Sequence, residues 1–222
     1  FPLPEADVEQ VASRHIGLSV SSGQIRYALQ RLWNPHTEKG LLSILRKGTA
    51  VKVVAEILEQ SELFFEEVET ACDELYTQQR ASGRQGANAP RQWGELRIRR
   101  PDLVEDSLTL SIQRLRDSIR DLVDSANDKD TADELLDCNS RLLELREAVQ
   151  VFLGHTAEQH VYWVERSGRR QTNLTLNAAP IDIADYLRRR LFGTESSVVM
   201  TSATLAVRDG ERAGSNRQGR IA

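Results

Sequence analysis

Leu108-Thr109-Leu110-Ser111-Ile112-Gln113-Arg114-Leu115-Arg116-Asp117-Ser118-Ile119-Arg120-Asp121-Leu122 places Leu108, Ile112, Leu115, Ile119 and Leu122 at spacings of four, three, four and three residues. That alternation keeps the five side chains in one stripe along a helix and leaves charged residues on the other faces, the pattern of a coiled-coil-like seam. After Asn127-Asp128-Lys129-Asp130 the alternation returns at Leu135, Cys138, Leu142, Leu145, Val149 and Phe152. A connection this short favours antiparallel packing of the two stripes. Residues 101–153 are therefore expected to form a helical hairpin, with Pro101 suited to the N-terminus of its first helix.

Upstream, Val54, Ile57, Leu58, Phe64, Phe65, Val68, Cys72 and Leu75 keep close to helical spacing and predict one long helix from Ala50 to about Tyr76. Ser21-Ser22-Gly23-Gln24 has the Ser-x-x-Gln form of a capping box, in which side chains satisfy the free amides of a first turn, and it precedes a helix over Ile25 to Trp33. Asn34-Pro35 breaks that helix, and His36 to Gly40 leads into a shorter one at Leu41 to Arg46. Glu5 to His15 carries Val8, Val11 and His15 at helical spacing, and Gly17 is placed to end that helix. Residues 81–90 lack periodicity and bulky apolar side chains, so a flexible linker is expected there. A short extended piece follows at Trp93 to Arg99.

Downstream the pattern changes. His160-Val161-Tyr162-Trp163-Val164-Glu165 is rich in β-formers, Ser167-Gly168 signals a turn, and Thr172 to Leu176 alternates polar with apolar, which predicts a β-hairpin. Pro180 precedes an amphipathic helix through Phe192, Gly193 can cap it, and Ser197 to Met200 has the form of a short buried strand. Arg208 to Ala222 holds one large aliphatic residue and is expected to be disordered. The fold class is thus mostly α, with an α/β segment towards the C-terminus.

With 222 residues, the chain suffices for one large core or two small ones. A formal charge of -4 and a pI near 5.7 argue against a broad basic surface for gripping nucleic acid, so any DNA contact must be local. No apolar run approaches the roughly 20 residues that cross a bilayer, and the first fifteen residues lack the layout of a signal peptide, so a cytoplasmic protein with no membrane partner is expected. Cys72 and Cys138 stand 66 residues apart with no Cys/His ligand spacing, which suggests small apolar roles and neither zinc nor a disulfide.

Val198-Val199-Met200-Thr201-Ser202-Ala203-Thr204-Leu205 runs an apolar strand straight into small hydroxyl residues. It resembles motif III of superfamily 2 helicases. Leu174-Thr175-Leu176-Asn177-Ala178-Ala179-Pro180-Ile181-Asp182, followed by a helix before that strand, resembles the DinG/XPD-like branch. Val8-Glu9-Gln10-Val11-Ala12-Ser13-Arg14-His15-Ile16-Gly17 is similar to the helix directly after the DEAH box of that branch. The resemblance covers residues 8–207 and implies an internal piece of an ATP-dependent DNA helicase: the post-DEAH helix at 1–17, a helical arch-like insertion at 18–155, and a fragment of a RecA-like motor domain at 156–207. It further implies that Thr201, Ser202, Ala203 and Thr204 couple nucleotide state to DNA movement. Short hydroxyls in a tight turn suit that role, because they exchange hydrogen-bond partners without large motion.

The sequence departs from the family in several places. The GxxxxGK[ST] loop that cradles ATP phosphates is absent, Pro4-Glu5-Ala6-Asp7 is no intact DEAH box, and the second motor domain is missing. The chain alone is therefore expected to bind no cofactor and show no helicase activity. ATP, magnesium and single-stranded DNA belong to a full-length parent, and the two cysteines fall short of the four an iron–sulphur cluster takes.

Arg97, Arg99 and Arg100 suit phosphate contacts, with Trp93 near enough to stack on a base; a solvated surface is the simpler account of the arginines. Arg188-Arg189-Arg190 point in different directions on a helix and match its C-terminal dipole. His15, His36, His155 and His160 form no HExxH pair and no nucleophile motif. A competing function is that of a noncatalytic interaction module in which the seam helices bind a partner or self-associate.

Overall fold

The computed structural model describes residues 17–45, 48–82, 93–124, 126, 128–168 and 173–182. They form β1 (Leu18–Ser21), α1 (Ser22–Leu32), α2 (Leu41–Ile44), α3 (Gly48–Ala81), β2 (Glu95–Ile98), α4 (Thr109–Asp124), α5 (Lys129–Gly154), β3 (His160–Ser167) and β4 (Asn173–Pro180). The chain divides into two compact units, Phe1–Asp182 and Ile183–Ala222, and every described residue belongs to the first. The fold is mostly helical with a small four-stranded antiparallel sheet.

The hairpin forms from its two stripes. Leu108, Ile112, Leu115 and Ile119 of one stripe, and Leu135 and Leu142 of the other, are almost fully withdrawn from water, and α4 packs along α5. Each such side chain contributes about 1.5–3 kcal/mol by leaving water, which outweighs the modest helix propensity of Ile and Ser in α4. The first helix does not start at Pro101. It starts at Thr109, because Asp106 Oδ1 accepts from the backbone amides of Leu108 and Thr109 at 3.2 and 2.9 Å and so caps the free turn. At α5, Asp128 accepts from the Thr131 amide at 2.7 Å, and His155 ends the helix in the left-handed region at φ 47°.

The capping box at the start of α1 is complete: Ser21 Oγ accepts from the Gln24 amide at 3.1 Å, and Gln24 Oε1 accepts from the Ser21 amide at 3.0 Å. The long helix reaches beyond the predicted Ala50–Tyr76 to Gly48–Ala81, so Ala81 is helical and not the start of a linker. Its buried face, Val54, Ile57, Phe64, Phe65, Val68 and Cys72, packs against α1, α2 and α4. Both cysteines are free and buried.

The sheet order is β1-β4-β3-β2, antiparallel throughout. The predicted β-hairpin is its centre, and β1 is a strand that sequence periodicity did not suggest. Alternation turns Leu96, Val164, Leu176 and Val20, one row across the sheet, towards the core shared with α1 and α5. Strands from both sides of position 155 share this sheet and one hydrophobic core, so the compact unit runs through that expected boundary to Asp182. Pro180 closes β4, and Ile181 and Asp182 are not helical; the remainder of the helix expected after Pro180, the helix expected at 5–15, the strand at 197–200 and the tail at 208–222 lie outside the described residues.

Candidate nucleic-acid interface

β2 alternates cleanly, with Leu96 and Ile98 buried and Glu95 and Arg97 exposed. Arg99 and Arg100 follow the strand and are exposed as well. Register sets Arg97 opposite Trp163, Trp163 opposite Asn177, and Asn177 opposite Ser19, a row on the sheet face turned away from the Leu96–Val164–Leu176–Val20 row. The structure therefore brings an arginine and a half-buried indole together on that face. Trp163 was not among the expected contacts, although the inward alternation of Tyr162 and Val164 places it outward.

Trp93 stands elsewhere. Only 2% of it is exposed, so it is not a surface on which a base stacks. Its Nε1 donates to Asp73 Oδ1 at 2.6 Å, and the Arg166 guanidinium lies 4.0 Å over its ring. Arg166 also reaches Glu69 and Asp73, each at 2.8 Å, and its backbone amide donates to the Gly94 carbonyl at 2.7 Å. The cluster fastens β3 and the start of β2 to α3, and burying an indole beside two carboxylates is tolerable because its N–H finds an acceptor and the arginine supplies the opposite charge. The expected base-stacking role of Trp93 is thus corrected to a structural one.

Asn173 is likewise committed. Its Oδ1 accepts from Ser22 Oγ at 3.1 Å and from the Gly23 amide at 3.2 Å, and its Nδ2 donates to Ser167 Oγ at 2.9 Å, tying the first turn of α1 to both strands of the hairpin.

A cleft of about 250 Å³ opens among the first turns of α1, the middle of α3 and β4. Its polar lining is Ser22, Arg26, Ser61, Glu62, Glu66 and Glu69, and Arg26 approaches Glu62 at 3.6 Å with both side chains largely exposed. Three glutamates against one arginine make this cleft repel phosphate, so it does not belong to a nucleic-acid contact.

His155 stacks on Tyr162 with ring centroids 3.9 Å apart, and Tyr162 Oη donates to the Ala157 carbonyl at 3.0 Å. Burial holds the His155 imidazole below the usual histidine range, and Asp102 opposes this. The aromatic stack and the left-handed cap explain this histidine without a catalytic role. His36 is exposed, His160 Nδ1 lies 2.7 Å from the Glu158 carbonyl, and His15 lies outside the described residues. Among the described residues no group of three or more His, Cys, Asp or Glu is arranged to hold a metal, and no helix is long and apolar enough to cross a membrane. Thr201, Ser202, Ala203, Thr204 and Arg188 to Arg190 also lie outside them. No family model matches the chain, and no curated protein matches it.

Proposed function

We propose that this chain is the helical insertion and adjoining motor-domain segment of an ATP-driven DNA helicase of the DinG/XPD-like branch. The observation that carries this is topological. β1 and β4 are hydrogen-bonded neighbours, yet 151 residues, 22 to 172, separate Ser21 from Asn173, and all the described helices, together with β2 and β3, lie between them. A chain that leaves a sheet at one strand and returns at the adjacent strand has the form of an insertion into a host domain. In this proposal the helical part borders a single-strand path, and the exposed Arg97, Arg99 and Arg100 contact its phosphates. Beyond the insertion, the chain leads into a RecA-like segment in which Thr201, Ser202, Ala203 and Thr204 relay nucleotide state; that part rests on the resemblance of residues 174–205. ATP and magnesium would be held by other parts of the parent protein.

The test is anisotropy of a labelled oligo(dT) with the full chain over a salt series. Binding that weakens with salt, and weakens further in an R97Q/R99Q/R100Q variant, supports the proposal. Translating the flanking DNA supplies an independent check: a GxxxxGK[ST] loop and a DEAH box upstream are expected, and their absence refutes the helicase assignment.

A second proposal, a noncatalytic module that self-associates through its hairpin, is favoured by Leu110 and Leu136, which are 61% and 46% exposed on α4 and α5. Sedimentation distinguishes it: a concentration-dependent dimer that L110E/L136E abolishes would favour the module.

A further inference from the structure

One stripe of α3 carries Leu58, Ser61, Glu62, Phe65, Glu66 and Glu69 at spacings that keep them on a single helix face, and all six line the cleft of about 250 Å³ that α1 and β4 close from the other side. Leu58 and Phe65, with Leu174 of β4, give the cleft apolar walls, and the glutamates give it an acidic rim.

Two groups in this cleft are uncommitted. Ser61 is only 4% exposed, and among the described residues its hydroxyl makes no hydrogen bond. Elsewhere in the helices, Thr70, Thr77 and Ser118 each donate to the carbonyl one turn back, at 2.9, 2.8 and 3.1 Å. Ser61 does not, and an alanine would pack there without withdrawing a hydroxyl from water for no return. The second group is the Glu66 carboxylate, which joins no ion pair among the described residues. Its neighbours differ: Glu69 reaches Arg166 at 2.8 Å, and Glu62 stands 3.6 Å from Arg26 with both side chains more than half exposed.

The start of α1 borders the cleft at Ser22, yet its first amides offer nothing to an anion, because Gly23 donates to Asn173 and Gln24 to Ser21. The charge of the rim therefore selects a cation, and the walls select one with an aliphatic stem. Glu62 and Glu66 stand one turn apart, about 6 Å along the axis at 1.5 Å per residue, which suits two ammonium groups joined by a four-carbon chain.

We infer that this cleft binds a linear aliphatic diamine or polyamine. One ammonium donates to the Glu66 carboxylate and to the Ser61 hydroxyl oxygen, a second pairs with Glu62, and the methylenes between them lie against Leu58, Phe65 and Leu174. Arg26 gives way to the second ammonium, since a long, exposed ion pair holds it only weakly. The site uses none of Arg97, Arg99 and Arg100, so it stands or falls independently of the helicase proposal.

Isothermal titration calorimetry of the full chain with spermidine, putrescine and butylamine tests the site, in about 0.15 M salt so that diffuse attraction to an acidic chain is screened. One spermidine per chain is expected. E62Q/E66Q should weaken it about tenfold for each carboxylate lost, and S61A about threefold. Circular dichroism verifies the fold of each variant, and E66Q alone serves if the double variant unfolds. S61A should leave Tm unchanged or raised, because its hydroxyl gives up no bond; a lowered Tm means that the hydroxyl is already committed and overturns its role. E67Q/E74Q removes two exposed charges from the same helix outside the cleft and should bind as the parent does. Equal weakening by E67Q/E74Q and E62Q/E66Q, or no binding of spermidine by the parent, overturns the site. Butylamine should bind at least about tenfold more weakly than putrescine, and equal affinity overturns the two-headed seat.

Discussion

Replacing Arg166 by Met tests how the sheet is held to the long helix. The methionine keeps most of the apolar stem and removes the guanidinium, which is 8% exposed and pairs with Glu69 and Asp73, each at 2.8 Å. The two carboxylates are about half exposed and rehydrate readily, so each pair is worth no more than about 1 kcal/mol. Losing the guanidinium over the Trp93 ring at 4.0 Å removes about another 1 kcal/mol. One contribution offsets the loss, because Arg166 Nε is buried without a partner; the Trp93 Nε1 bond to Asp73 is unaffected. The net destabilisation is about 2 kcal/mol, a fall of roughly 4–8 °C in Tm for a unit of this size. Urea unfolding followed by circular dichroism measures it, with tryptophan fluorescence as a second probe. Arg166→Lys should recover only part of the loss: both acids meet the single Nη2, which an ammonium can stand in for, but lysine leaves no planar guanidinium over the Trp93 ring. A change below about 0.5 kcal/mol with an unaltered denaturant slope would refute the role given to this cluster.

Gly40→Ala should cost well over 1 kcal/mol, since a Cβ there would stand 2.3 Å from the Leu32 carbonyl oxygen at a φ of +150°, and an unchanged Tm would contradict it. Because the folded His155 pKa is depressed by burial, its contribution is complete above the unfolded value near 6.5 and is lost as pH falls through the folded value. Unfolding free energy is thus expected to drop as pH falls below the unfolded value, and His155→Asn, which suits the left-handed cap, should flatten that drop; equal slopes in parent and variant would rule the histidine out. Burial pushes the Cys72 thiol up to about 12, so in a C138S variant Cys72 should resist a thiol reagent at pH 8 until urea unfolds the chain, and rapid native labelling would argue against the packing of α3.

The helices were legible because their cause is local. A four-three alternation at Leu108 to Leu122, a Ser-x-x-Gln cap at Ser21 and an Asn-Pro break at residue 34 act over one or two turns, and each has its predicted effect in the structure. The hairpin of β3 and β4 was legible for the same reason. β1 was not: Leu18-Ser19-Val20-Ser21 is too short for its alternation to stand out, and it is a strand because β4 offers it a free edge. Pro101 misled because a proline permits a helix start without compelling one, while Asp106 supplies acceptors for the amides that a start exposes.

The candidate interface divides in the same way. Arg97, Arg99 and Arg100 are exposed as strand alternation predicts, whereas Trp93 is buried because Asp73, Glu69 and Arg166, distant in sequence, meet around it. By itself the sequence determined the helices and the β3–β4 hairpin, since backbone hydrogen bonding and apolar periodicity are short-range, whereas β1 needed the edge of β4. Only the tertiary structure decided which charges lose their water. Arg116 follows Leu115 on the edge of an ordinary stripe, and α5 closing over that edge leaves a guanidinium inside, bonded to amide acceptors. Burial depends on what packs opposite a residue, and its neighbours in sequence do not specify that.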